Sequence, residues 1–261
     1  MLEWALVKLR SIAAFVLFSA ACSACPSRIT RVEIPLEDRL KARQLMVDGD
    51  VLLKDGKDHL ALLKYLESST LNPYSPSCFN KLAVAYARIL MLSQAKHAVD
   101  RAIRLDRKYP YGYNTRGIIQ MALGKPGAAA GSFEKALHLD PHNSVFYLNL
   151  GRAHMEAGDY RKSQSALRQA LQLNPDVLDL KDTIEVSASN KRDAVESYYR
   201  MAGLFAEAGD VKSCLYYLSR ALESGFRDRA RLENDAAFEG LRDNRSFIEL
   251  VVSYGLREEA T

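Results

Sequence analysis

The chain has 261 residues, 48% of them hydrophobic, which is enough for one large domain, two small ones or a linear stack of small repeats. Its 36 basic and 32 acidic residues leave a formal charge of +4 with the signs interspersed, which excludes the clustered basic face of a nucleic-acid binder.

Residues 1–25 read as a targeting segment. Lys8 and Arg10 precede the apolar run SIAAFVLFSAACSA, which ends in small residues and two cysteines, the pattern of an export signal. The run is about 14 residues long against the roughly 20 that a spanning helix needs, so a cleaved or lipid-bearing signal fits better than a permanent transmembrane anchor. Ser19, Ala20 and Ala21 lead into Cys22, and this stretch resembles the lipobox of bacterial lipoprotein signals, with Ser19 in the place where leucine is preferred. The resemblance implies acylation of Cys22, beside the alternative of plain cleavage after Ala21 or Ala24. Ser23, rather than an aspartate, follows Cys22, which implies delivery to the outer membrane with the chain facing the periplasm. Residues 26–41 are charged and contain Pro35, as expected of a linker or a short lead-in helix.

From residue 42 the chain repeats every 34 residues, in units 42–75, 76–109, 110–143 and 144–177, with a fifth at 195–228. The eighth place holds Gly49, Ala83, Gly117, Gly151 and Ala202. The twentieth holds Ala61, Ala95, Ala129, Ser163 and Cys214, and the twenty-seventh Ser68, Ala102, Ala136, Ala170 and Ala221. All are small, because two antiparallel helices approach to 8–10 Å only where side chains at the crossing are short. Large residues fill the complementary places: Leu45, Phe79, Tyr113, Tyr147 and Tyr198 at the fourth, and Tyr65, Val99, Phe133, Leu167 and Leu218 at the twenty-fourth. Gly56, Gly124, Gly158 and Gly209 suit a left-handed turn after the first helix, and Leu90 breaks that column in the second unit. Pro73, Pro141 and Pro175 close the second helix.

These columns resemble the tetratricopeptide repeat, a helix–turn–helix unit, and the fourth copy matches best through Tyr147, Leu150, Gly151, Gly158, Tyr160, Ala170 and Pro175. Asp48 and Arg116 depart from its usual leucine at place seven. The resemblance implies an all-α, right-handed α-solenoid of about five hairpins. It also raises the carboxylate clamp of chaperone-binding relatives, from which this chain departs: Met46 and Asp50 occupy the first unit, and Glu196 stands beside Arg200 where a second cation is expected.

Residues 178–194 fall outside the period and read as an insertion. Residues 229–254 follow the fifth unit, and Leu232, Phe238, Leu241, Phe247, Leu250 and Val251 are spaced for short amphipathic capping helices. Cys78 and Cys214 lie several helix layers apart, on the order of 20 Å against the roughly 7 Å a disulfide spans, and both are expected to be free thiols.

No nucleophile elbow, phosphate loop or paired carboxylates mark an enzyme, and no cofactor or metal is expected. His138 and His142 have ligand spacing, but Pro141 stands between them at a helix end. The candidate site is instead the stripe of each first helix facing away from its partner, at places two, five, nine and twelve. It comprises Asn80 and Val84 in the second unit, Tyr111, Asn114, Ile118 and Met121 in the third, Leu148, Arg152 and Met155 in the fourth, and Tyr199 in the fifth. Lys81, Arg88, Asn149 and Arg200 flank it. Amides with donor and acceptor suit the backbone of an extended peptide, and Met and Ile give adaptable apolar contact.

The function expected is a non-enzymatic scaffold, a membrane-tethered periplasmic lipoprotein assisting assembly of an envelope, pilus or secretion complex, with a protein or peptide in the groove. Solenoids of this kind often pair through their ends, so self-association stands beside that partner. Two alternatives are a small-ligand receptor or enzyme with a site near 178–200, and a cytosolic co-chaperone.

Overall fold

Helix follows helix along the chain, and each pair is joined by the same turn. The structure, a computed structural model, describes residues 33–177 and 191–256; the leader, Cys22 and most of the 178–194 insertion lie outside them. The helices are α1 (Leu36–Lys54), α2 (Asp58–Leu71), α3 (Pro76–Arg88), α4 (Leu92–Leu105), α5 (Pro110–Ala122), α6 (Pro126–Leu139), α7 (Ser144–Glu156) and α8 (Tyr160–Leu173). After the insertion come α9 (Lys191–Glu207), α10 (Val211–Glu223), α11 (Arg229–Asn234), a 3-10 turn at Ala236–Leu241 and α12 (Arg245–Ser253). Each odd helix through α9 pairs with the next, and the second helix of each hairpin packs on the first helix of the following one. This is the α-solenoid expected from the period.

The element boundaries refine the sequence reading at two places. α1 begins at Leu36, six residues before the first unit, so the last part of the stretch read as linker is helix. α9 begins at Lys191, four residues ahead of the fifth unit.

Local chemistry explains where helices start and stop. Pro76, Pro110 and Pro126 occupy first-turn positions where a missing N–H costs nothing. The side chains of Ser75, Asn143 and Asp210 accept from Cys78, Phe146 and Ser213 backbone N–H groups. In the first turn Gly56 N–H donates to Leu53 carbonyl and Lys57 N–H to Leu52 carbonyl. The same pair of bonds recurs at Gly124, Gly158 and Gly209. The second hairpin keeps it without glycine: Leu90 takes a φ of 60° and is left 69% exposed.

Packing within a hairpin is fixed by the small columns. A Cβ at Gly49 would stand 2.5 Å from Tyr65 Cε1, one at Gly117 2.5 Å from Phe133 Cε1, and one at Gly151 2.6 Å from Leu167 Cγ. Where the small place holds alanine in the second unit, the facing place holds the shorter Val99, and both are fully buried. Two of the small places carry hydroxyls, which are satisfied: Ser68 Oγ donates to the Ala42 carbonyl at 2.8 Å and Ser163 Oγ to that of Gly151 at 2.7 Å. Cys78 and Cys214 are buried free thiols.

Two apolar cores result. One runs from Ala61 through Phe146, Leu150 and Ala153 to Ala166. The other begins with Leu148 and Leu167, runs through the fifth hairpin and is closed by Phe238, Leu241, Phe247 and Val251 of the cap.

Candidate functional site

The helical spacing predicts a solvent-facing fifth place in each unit, and the structure encloses it in the second to fifth. Leu148 is fully enclosed in the second core, and Tyr199 is 2% exposed. Tyr199 lies between Phe226, stacked at 4.4 Å, and Phe238 at 5.5 Å, and its hydroxyl donates to Asp235 Oδ2 at 2.9 Å. Asn80 and Asn114 at the same place are also buried, as is Asn149 one place on. For the asparagines the reason is the stack itself: the first helices of the second to fourth units touch, so a neighbour covers a column that would be wet on one hairpin alone, whereas Tyr199 is covered by the cap. Asn149 Nδ2 donates across this contact to Asn114 Oδ1 at 2.9 Å, so these amides join two units. Asn80 Oδ1 is buried without a hydrogen-bond partner.

Ile118 and Met121 on α5, and Arg152 and Met155 on α7, are half-buried, and Ile118, Met121 and Met155 each rest on a core. Tyr111, at place two, is exposed, with its ring edge-on to Phe146 at 5.5 Å and tilted against Tyr109 at 5.7 Å. Partial desolvation raises the Glu156 carboxyl above its ordinary value, and the Arg152 charge opposes the rise. The structure therefore brings together an apolar and cationic strip on α5 and α7.

The flanking cations are engaged. Lys81 Nζ donates to both carboxylate oxygens of Asp50, at 2.6 and 2.7 Å, and the Tyr65 hydroxyl donates to the same Oδ1 at 2.7 Å. Burial, reinforced by Asp50, pushes the Tyr65 phenol well above its ordinary value. Arg88 Nε donates to Asp58 Oδ1 at 2.7 Å. A lysine held this way by Asp50 is a poor grip for a terminal carboxylate, which gives the departure from the clamp pattern a physical basis.

At the other end Arg200 and Arg231 converge on Glu196. Arg200 Nε donates to Oε1 at 2.6 Å, and Arg231 Nη1 and Nη2 donate to Oε2 and Oε1 at 2.9 and 3.1 Å. Chiefly through the Arg231 bonds, the Glu196 carboxyl is held down at about 2. Arg231 also covers the Tyr199 ring, 4.2 Å from its centroid. Sequence reasoning missed this group because Arg231 is 35 residues from Glu196, in the segment read only as a cap. It also missed Asp50 as the partner of Lys81, 31 residues away. Arg116, flagged as a departure at place seven, lies 5.0 Å over Tyr113 and has a buried Nε without a partner.

Among the described residues no group of three or more His, Cys, Asp or Glu side chains could hold a metal. His138 lies in the last turn of α6 and His142 beyond its end.

Residues 120–182 match the family model described as tetratricopeptide repeat. The Saccharomyces cerevisiae small glutamine-rich tetratricopeptide repeat-containing protein 2 is 25% identical over 166 residues, 62% of this chain and 46% of that one. Human serine/threonine-protein phosphatase 5 is 34% identical over 115 residues, 43% of this chain and 23% of that one. The chain thus spans less than half the length of either relative. Among solved structures, Pseudomonas aeruginosa pilF matches with a TM-score of 0.58 at 17% identity, over 84% of this chain and 91% of that one. A thermophilic repeat protein of Thermus thermophilus matches at 0.52 and 19% identity, over 82% and 97%. Both share the fold. Residues 120–182 thus carry tetratricopeptide repeats, and repeats of this kind mediate protein–protein interaction.

Proposed function

We propose that the chain is a non-enzymatic scaffold, exported and tethered through Cys22, which holds an extended segment of a protein partner along its first helices and helps assemble an envelope, pilus or secretion complex. The observation that carries the binding reading is the strip formed by Ile118, Met121, Arg152 and Met155, in register on two successive first helices and half-buried in both. Thioether and branched side chains adapt to varied apolar contacts, and the guanidinium supplies several donors to peptide carbonyls or an acidic side chain. The tether rests on the sequence SAAC at Cys22 and the short apolar run before it.

Affinity capture from envelope extracts tests the strip. The Arg152→Glu/Met155→Ser variant is expected to lose the partners retained by the parent protein, and equal recovery refutes the surface. Arg152 and Met155 lie outside the fully buried core, so the fold should persist and far-UV circular dichroism checks it. Mass spectrometry of the mature protein tests the tether: a diacylglyceryl adduct on Cys22 supports it and an intact Met1 refutes export.

A further inference from the structure

The carboxyl-terminal end of the stack is sealed by α11, the 3-10 turn and α12, whereas the first hairpin carries most of the exposed large apolar side chains. Leu36, Leu40, Val47 and Val51 on α1 are 63%, 56%, 49% and 55% exposed. At 100° per residue these four fall within one narrow stripe on the side of α1 opposite Ala42, Leu45 and Gly49, its buried face. Val51 stands at the tenth place of its unit, where the second to fourth units hold Ala85, Ile119 and Ala153, all exposed by 1% or less, and the fifth holds the half-buried Leu204. That place is buried in the second to fourth units, where a preceding hairpin packs on the first helix, so α1 presents a helix-stacking surface uncovered among the described residues. Repeat stacks need their terminal apolar faces covered to stay soluble.

The pattern also says what covers it. The spacing 36, 40, 47, 51 reads the same in either direction, four, seven, four. An isologous antiparallel helix pair requires that symmetry, since residue i must meet j and j must meet i. We infer that α1 pairs antiparallel with α1 of a second copy of this chain, Leu36 against Val51 and Leu40 against Val47, about a two-fold axis near Arg43 and Gln44. Charge agrees with this register: exposed Lys41 meets Asp48 of the second copy, twice per dimer. Arg43 and Gln44, at the axis, extend along their stems to solvent. This inference is independent of the peptide groove and of the tether.

Sedimentation velocity of the full chain across a wide concentration range tests it, with the parent protein expected to dimerise. The Leu40→Glu/Val47→Glu variant should remain monomeric, its dissociation constant raised at least about a hundredfold, with circular dichroism and melting unchanged because both side chains point away from the core. Lys41→Glu should weaken the dimer roughly two- to fivefold, and Lys41→Glu/Asp48→Lys should restore it. A parent protein that stays monomeric overturns the inference, as does a monomer that pellets through these residues with phosphatidylethanolamine–phosphatidylglycerol vesicles. A dimer unaffected by Leu40→Glu/Val47→Glu also overturns it, and failure of the charge exchange to restore pairing overturns the antiparallel register. Arg152→Glu/Met155→Ser should dimerise like the parent, which separates this failure from that of the groove.

Discussion

Adding one methyl group to two glycines of the third unit should move stability in opposite directions. Ala is better than Gly in a helix interior by about 1 kcal/mol, so on propensity alone both substitutions stabilise. At Gly131, on the outer side of α6, a Cβ meets nothing within 4 Å, and Gly131→Ala should realise most of that gain. At Gly117 the same Cβ would stand 2.5, 2.7 and 2.8 Å from three ring atoms of Phe133, far inside van der Waals contact. Phe133 is 1% exposed and cannot swing into solvent, so α5 and α6 must part, an overpacking penalty of about 1–3 kcal/mol. Net destabilisation of Gly117→Ala should therefore reach up to about 2 kcal/mol, and the two variants should differ by the penalty itself, about 1–3 kcal/mol. Urea denaturation followed at 222 nm measures both. In a Phe133→Val background, which copies the Ala83 and Val99 arrangement of the second unit, the cost of Gly117→Ala should largely disappear, giving a coupling of about 1–2 kcal/mol. Equal stabilisation by Gly117→Ala and Gly131→Ala would refute the idea that short side chains at the crossing set the helix spacing.

Other substitutions probe the turn, the cap and the thiols. Leu90 holds the left-handed conformation that glycine adopts in the sister turns, so Leu90→Gly should stabilise by about 1 kcal/mol in the same denaturation assay. The Glu196 carboxyl has a folded value of about 2, below its unfolded one, so its contribution is present above about pH 4.5 and is lost as pH falls toward 2. Because the group is partly exposed, Glu196→Gln should cost under about 1 kcal/mol at pH 7, and thermal melting of variant and parent should converge near pH 2. Burial pushes the Cys214 thiol up to about 12 and raises that of Cys78, so alkylation at pH 8 followed by peptide mapping should modify neither until denaturant is added.

The hairpins were legible because helix packing forces small side chains into fixed places, and the places recur. The turn column predicted Gly56, Gly124, Gly158 and Gly209 in the left-handed region, and even its exception, Leu90, adopts the shared backbone because flanking helices dictate it. The candidate strip was legible in part. Ile118, Met121, Arg152 and Met155 follow from the geometry of one helix and its partner, whereas Leu148 and Tyr199 do not, because their surroundings come from other units and from the cap. Periodicity describes what each unit does to itself; it is silent on which side chains a neighbour or an irregular segment will enclose. Asp50 with Lys81 and Glu196 with Arg231 were hidden for the same reason, being pairs between units with no sequence signature.

The division of the interior into two cores has a mechanical consequence. Phe146, Leu150, Ala153 and Ala166 belong to one core, while Leu148, Leu167 and Ala170 belong to the other, so both are anchored in α7 and α8. The fourth hairpin works as a clasp between two springs, and neither spring can be detached under tension while that clasp stays wound. Load applied at both ends should strip the outer hairpins first and reach this one last.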